Sequence, residues 1–562
     1  MTDTTRSPWL PHLTHERDGS ATYPIRYLAT DNEFLPDITS ALRSANDEPR
    51  DPLALFVDTL LNKPAVDIDG LFVLPKNPEH GTEDITDDEY ILENRRWKKG
   101  GTAESENNDD NSGDEPANGM LVLSTTNLVG IIYSRSARER TAGDVQLSIS
   151  SRFFRDERGD IAPIWHDWFL AYMMQRVLHV NLLSVDFEGS PERAWRQLLM
   201  WMFPLYLNNA MSKGVLHQYE RREYNDSNPR GRIDIARHIR ENTPFRTGRK
   251  NPSSTPGHIR ENTPFLGTVA YSRREYDADN PVTELIRHTI EAIAANGRFG
   301  SDILHNSSET IRHVEEIRRV TQRYEQAERQ RIVQENLKRP VRHAFYDEYR
   351  ELQSLCIAIL SHRGLDPSDI KEKGVHGILF DCAWLWEEYL NVVLREQGIG
   401  VIHPQNKTGT HAYHFMTRVE GTDDHAVGKP LGLIYPDYLL SVDGVNLVAD
   451  AKYKPEQNIG GRDYMQVIAY TARFGTGSGL YLYPGSDLGA GGSVDVCEYL
   501  LFGGFERERE SNLREEPALY TVGLDVSVKD CSAGYRGYVA SMHEHERKFA
   551  EEIRRIAQNR HR

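Results

Sequence analysis

Asp437, Asp450 and Lys452 are the residues whose types and spacing best suit a chemical reaction. Carboxylates are hard oxygen ligands, and Mg2+ is ordinarily held by one or two of them together with waters and a substrate phosphate. An ammonium group beside such a pair can orient or deprotonate a metal-bound water and offset charge on a phosphorane-like transition state. The set is equipped for phosphodiester hydrolysis. A lone Asp-x-Lys is common on surface strands, so its weight depends on the elements around it.

Those elements are legible. Apolar runs flank Val442-Asp443-Gly444-Val445, and Asp-Gly between such runs predicts a β-hairpin. Antiparallel pairing then brings Asp437, on the first strand, close to Asp450 on the second. Alternation puts Asp450 and Lys452 on one face and Ala451 and Tyr453 on the other. Lys454 shares the Lys452 face farther out and is expected to contact phosphate. Gly461–Phe474 reads as a helix with Gln466 and Tyr470 at i and i+4, able to enter the same site. Gly377–Glu396 reads as an earlier helix, in which Glu387 is a candidate metal or water ligand and Glu388 competes for the inward position. Gly479–Tyr483 reads as a further strand, giving the order α, β, β, α, β.

The combination of Trp386-Glu-Glu-Tyr389, Pro436-Asp437, Asp450-Ala-Lys452-Tyr-Lys454 and Gln466-x-x-x-Tyr470 resembles the PD-(D/E)xK nuclease superfamily. More narrowly, it resembles the McrC nuclease subunits of McrBC-type modification-dependent restriction systems. Gly231-Arg-Ile-Asp234, Glu261-Asn-Thr-Pro-Phe265, Tyr271-Ser-Arg-Arg-Glu-Tyr276 and Asp279-Asn280 extend the likeness upstream, to about residues 120–485. The resemblance implies a Mg2+-dependent DNA endonuclease in which Asp437, Asp450 and Glu387 hold the metal and Lys452, Gln466 and Tyr470 complete the site. It also implies a GTP-hydrolysing AAA+ partner, an McrB-like hexamer, and DNA containing modified cytosine. Alternatives on the same residues are a self-sufficient nuclease of this superfamily, a RecB-like exonuclease component, and a non-catalytic scaffold.

The expected fold is an α/β nuclease domain over residues 370–540, a mixed sheet flanked by helices, followed by a charged helix or tail at 541–562. Before it come a β-rich partner-docking module at 1–150 and a mixed, largely helical region at 151–369. Residues 100–119 are acidic, lack large apolar side chains and read as a linker. Within the middle region His238-Ile-Arg-Glu-Asn-Thr-Pro-Phe245 recurs unchanged at 258–265, a local duplicated insertion. Arg221-Arg-Glu-Tyr224 is echoed at Arg273–Tyr276. Trp165, Trp168, Trp195 and Trp201 read as core packing.

Over 562 residues the formal net charge is −17, awkward for a protein that grips DNA alone and suited to one whose partner supplies affinity. Cys356, Cys382, Cys497 and Cys531 have no CxxC spacing, which argues against a disulfide framework or a cysteine zinc site. His403, His411 and His414 cluster without the partners zinc requires, and no P-loop is present. The apolar run around 198–212 is too short to span a membrane, and the N-terminus lacks the pattern of an export signal. A cytoplasmic protein without a membrane anchor is expected.

Overall fold

The computed structural model describes residues 25–33, 60–61, 64–65, 68, 71–74, 90–97, 120–134, 145–154, 164–178, 191–242, 268–342, 344–360, 375–403, 413–419, 427–486, 493–503, 513–527 and 534–559. The acidic segment 100–119, the second copy of the duplicated octapeptide, His411 and Cys531 lie outside them. The chain is mixed α/β and divides into two compact units, one formed by residues 1–186 with 370–562 and the other by 187–369.

In the first unit the N-terminal strands are β1 (Ile25–Thr30), β2 (Leu71–Leu74), β3 (Leu92–Trp97), β4 (Met120–Thr125), β5 (Leu128–Ser134) and β6 (Val145–Ser150), followed by helix α1 (Trp168–Leu178). After residue 370 come β7 (Val375–Asp381), α2 (Cys382–Glu396), β8 (Gly400–Ile402), β9 (Tyr413–Val419), β10 (Val427–Ile434), β11 (Tyr438–Val442), β12 (Val445–Ala451), α3 (Gly461–Phe474), β13 (Ser478–Gly485), β14 (Val494–Phe502), β15 (Leu513–Asp525) and α4 (Gly534–Asn559).

Two sheets dominate this unit. A five-stranded sheet has the order β1-β6-β5-β7-β2, so β7, from the C-terminal half, is seated among N-terminal strands. Here the structure corrects the helix expected from Gly377. Residues 377–381 continue a strand, and only at Asp381 does a helix begin, because its carboxylate accepts from the Ala383 and Trp384 N–H groups at 2.9 and 3.2 Å. A short apolar run such as Gly377-Ile-Leu-Phe380 carries no period that separates a buried strand from a helical turn.

The second sheet has six strands in the order β8-β11-β12-β13-β15-β14. The β11–β12 and β8–β11 pairs are antiparallel, while β12, β13 and β15 run parallel, with α3 as the crossover from β12 to β13. Every residue of β13 is buried, as a central strand covered on both faces must be. Against one face, Val467 of α3 packs in a cluster with Ile459, Tyr481, Tyr483 and Leu519. The C-terminal helix buries Tyr538, Met542, Phe549, Ile553 and Ile556, so residues 541–559 belong to a packed helix and not to a solvated tail. Trp168 lies in an aromatic group with Phe154, Tyr535 and Tyr538.

The second unit pairs a helical bundle with a small sheet. Residues 218–226 and 269–277 pair antiparallel, so the echoed Arg-Arg-Glu-Tyr segments lie side by side, with Arg221 opposite Arg274 and Arg222 opposite Arg273. Asn280 caps helix Pro281–Ala294 by accepting from Val282 and Thr283 N–H. The charged stretch that follows forms two helices, Ser308–Val320 and Arg329–Lys338. The break is held by the Arg323 N–H donating to Asp279 at 3.2 Å and by Tyr324 packing on His288.

Candidate active site

The β11–β12 hairpin turns at Asp443 and Gly444, whose φ angles are 50° and 87°. Two successive positive φ values define the primed turn that matches strand twist, which explains the Asp-Gly pair. The ladder runs from Val442–Val445 to Tyr438–Ala449, and Asp437 and Asp450 each follow its last pair at the open end of the hairpin. The two acids lie near each other, since the Asp437 charge acts on the Asp450 carboxyl. Asp437 precedes the strand instead of lying in it; its Oδ2 accepts from the Ala451 N–H at 2.7 Å, closing the open end of the hairpin.

Asp450 is 1% exposed, and the Lys452 Nζ lies 2.7 Å from its Oδ2. Burial, and then the nearby charge of Asp437, hold the Asp450 carboxyl well above the ordinary carboxylate range, with Lys452 opposing. Asp437 is raised likewise, by burial and then by Glu387, with Lys452, the Ala451 N–H and His403 opposing. Burial works against the Lys452 ammonium, yet Asp450 and Asp437 raise it overall.

Both Glu387 and Glu388 reach the His403 Nε2, at 3.6 and 3.2 Å, and Glu387 is the leading charge that raises Asp437. That favours Glu387 as the glutamate of α2 that belongs with the acids. His403, which the sequence gives no partners for zinc, has a place of its own. Its Nδ1–H donates to the Asp437 carbonyl at 2.8 Å and its side chain is 2% exposed. With an acceptor at each nitrogen the ring holds its second proton above the ordinary value, although burial opposes this. Nothing in local spacing signals the role, since 34 residues separate it from Asp437.

The two α3 residues meet as expected. Gln466 Nε2 donates to the Tyr470 hydroxyl at 2.8 Å, and that hydroxyl donates to the Tyr435 carbonyl at 3.2 Å, tying the helix to the peptide that leads into Asp437. Tyr470 also feels the charges of Asp450 and Asp437. Lys454 is otherwise engaged: its Nζ lies 2.5 Å from Asp463 Oδ2, which accepts from Gly460 N–H at the start of α3.

Asp450, raised by the charge of Asp437, and Asp437, raised by that of Glu387, offer the carboxylate donors that a hard divalent cation takes. Among the described residues, one group brings three ligand atoms within 4.8 Å of one another, Glu456, Asp495 and Cys497, and it lies elsewhere. Its carboxylates accept from Tyr499, Thr521 and Tyr483 hydroxyls, so it is accounted for as a hydrogen-bonded cluster. Asp437, Asp450 and Glu387 do not form such a group of three ligand atoms.

No described helix is long and apolar enough to cross a membrane. No curated protein matches the chain. Among solved structures, it is similar to a chain of the half-complex of Thermococcus gammatolerans McrB AAA+ hexamers with bound McrC, at 13% identity and a TM-score of 0.36, over 80% of this chain and 90% of that one. A chain of the T. gammatolerans McrBC complex is similar at 12% identity and a TM-score of 0.20, over 53% of this chain and 75% of that one. Residues 123–249 and 254–484 match the family described as McrBC 5-methylcytosine restriction system component. That match runs over more than half of the sequence, and the chain belongs to that family.

Proposed function

We propose that this chain is the metal-dependent endonuclease subunit of a modification-dependent restriction system, of the McrC type, with a PD-(D/E)xK site that hydrolyses phosphodiester bonds in DNA. The observation that carries the reading is the hairpin end at which the Asp437 charge acts on the buried Asp450 carboxyl, with Lys452 two residues on and its Nζ 2.7 Å from Asp450. Asp437, Asp450 and Glu387 would hold Mg2+, which when bound supplies Lewis acidity toward the scissile phosphate and activates a coordinated water. Lys452 brings a fixed positive charge to the place where negative charge develops. Gln466 and Tyr470 lock α3 against the peptide entering Asp437, and His403 holds that peptide from the other side.

We further propose that activation comes from a GTP-hydrolysing AAA+ partner, an McrB-like hexamer. The family description and the solved assembly of McrB with McrC support this, as does a net charge of −17, which leaves DNA affinity to be supplied elsewhere. The test is to incubate the chain with its cognate GTPase, GTP, Mg2+ and plasmid bearing 5-methylcytosine. Scission should require all four, and Asp450→Ala should abolish it while leaving partner binding and GTP turnover intact. Cutting by the chain and Mg2+ alone would favour the self-sufficient nuclease. Undiminished cutting by Asp450→Ala would overturn the site.

A further inference from the structure

Lys452 stands just beyond the end of β12, where the ladder no longer fixes the backbone beyond one bond, Lys452 N–H to the Leu482 carbonyl at 2.9 Å. The next residue is held by a different part of the chain. The Tyr453 ring is 5% exposed and meets Phe153 edge-on at 5.0 Å. Its hydroxyl is 2.8 Å from Ser151 Oγ. The Arg152 guanidinium lies over the ring at 5.0 Å, and Nη2 donates to the Tyr453 carbonyl at 2.9 Å and to Asn127 Oδ1 at 2.7 Å.

Arg152 is itself fixed. Its Nε is 3.0 Å from Asp31 Oδ2, its backbone N–H donates to Asp31 Oδ1 at 2.6 Å, and Asp31 is 1% exposed. A buried ion pair is weak support for stability, because desolvating two charges offsets their attraction. What this pair achieves is a planar guanidinium in one orientation at the exit of a strand. Successive side chains on an extended backbone point to opposite sides, so gripping Tyr453 in the N-terminal part of the unit directs Lys452 toward the acids.

We propose that Arg152, held by Asp31, is a positioning residue for Lys452, so that the N-terminal strands form an outer layer of the nuclease site. The proposal rests on the nuclease reading above. It is tested in the full chain with its GTPase partner, GTP, Mg2+ and 5-methylcytosine plasmid. Arg152→Gln combined with Asp31→Asn removes both buried charges together. The double variant should lose about tenfold or more in kcat, as mutations behind directly acting groups do, with KM for DNA within about twofold and a melting temperature close to wild type. Arg152→Lys keeps the charge but not the fork and should fall between. Hydrogen–deuterium exchange over residues 447–458 should quicken in both.

A folded double variant with wild-type kcat, or a loss confined to KM, overturns the proposal. If the double variant does not fold, Arg152→Lys is judged by the same criteria. If wild type does not cut and matches Asp450→Ala, the nuclease reading fails and the anchor is judged by exchange alone: acceleration confined to residues 447–458 supports it, and an unchanged profile overturns it.

Discussion

Glu387 and Glu388 are neighbours in sequence and differ in what they touch. Both approach His403, Glu388 the more closely, while Glu387 is the leading charge that raises Asp437, which associates its carboxylate with the acids. Glu387→Gln should therefore lower the initial rate of DNA scission about tenfold or more and raise the Mg2+ concentration for half-maximal activity. Glu388→Gln should change either by no more than about threefold. Titrating Mg2+ against cleavage for both variants measures this, and equal losses would remove Glu387 from the proposed metal ligands. A sequence cannot separate the two, because 100° of helix rotation decides which faces inward and the direction of that face is set by packing.

Helix α3 carries Gln466 and Tyr470 and sits unusually close to β13. A Cβ built on Gly479 would lie 2.4 Å from Val467 Cγ1 and 2.8 Å from Thr471 Cγ2, both on α3. Glycine is required there by proximity and not by backbone angle. Gly479→Ala should cost about 1–3 kcal/mol by overpacking and push α3 outward, loosening the bond from Tyr470 to the Tyr435 carbonyl. Scission should fall, and adding Val467→Ala should restore part of both stability and rate. Thermal melting and cleavage of the single and double variants check this; a Gly479→Ala protein melting like wild type would show that α3 gives way freely. This helix was readable from sequence to its ends, Gly461 and Phe474, since its apolar period is regular and Gly475 (φ 62°) closes it. The strand at Val375–Asp381 was not, because its partners lie more than two hundred residues upstream.

At the scale of the whole molecule, stability should depend on acidity through the second unit. His288 is 1% exposed, and burial together with Arg329, Arg287 and Arg331 pushes its ring down to about 4 from an ordinary 6.5. The folded chain keeps the ring neutral while the unfolded chain takes up a proton below about pH 6.5. The contribution is therefore intact above that pH and is lost as pH falls toward 4, by up to about 3 kcal/mol. His288→Phe should flatten the decline in melting temperature between pH 7 and 4.5; parallel curves for the two proteins would exclude the histidine as its source. The division into two units also escapes a linear reading, because the first unit is assembled from both ends of the chain.

The sequence by itself determined the local chemistry. An Asp-Gly turn between apolar runs fixes a hairpin and the register of its two strands, so the pairing of Tyr438–Val442 with Val445–Ala449 was legible without coordinates, as was the likeness that the family match bears out. Only the tertiary structure decided that His403 braces Asp437, that Lys454 is paired with Asp463, and that Arg152 and Asp31 reach the strand end beside Lys452. The reason is physical. Local order follows from backbone sterics and periodicity over a few residues, whereas these contacts join segments up to hundreds of residues apart, brought together by burial of side chains that no spacing rule relates.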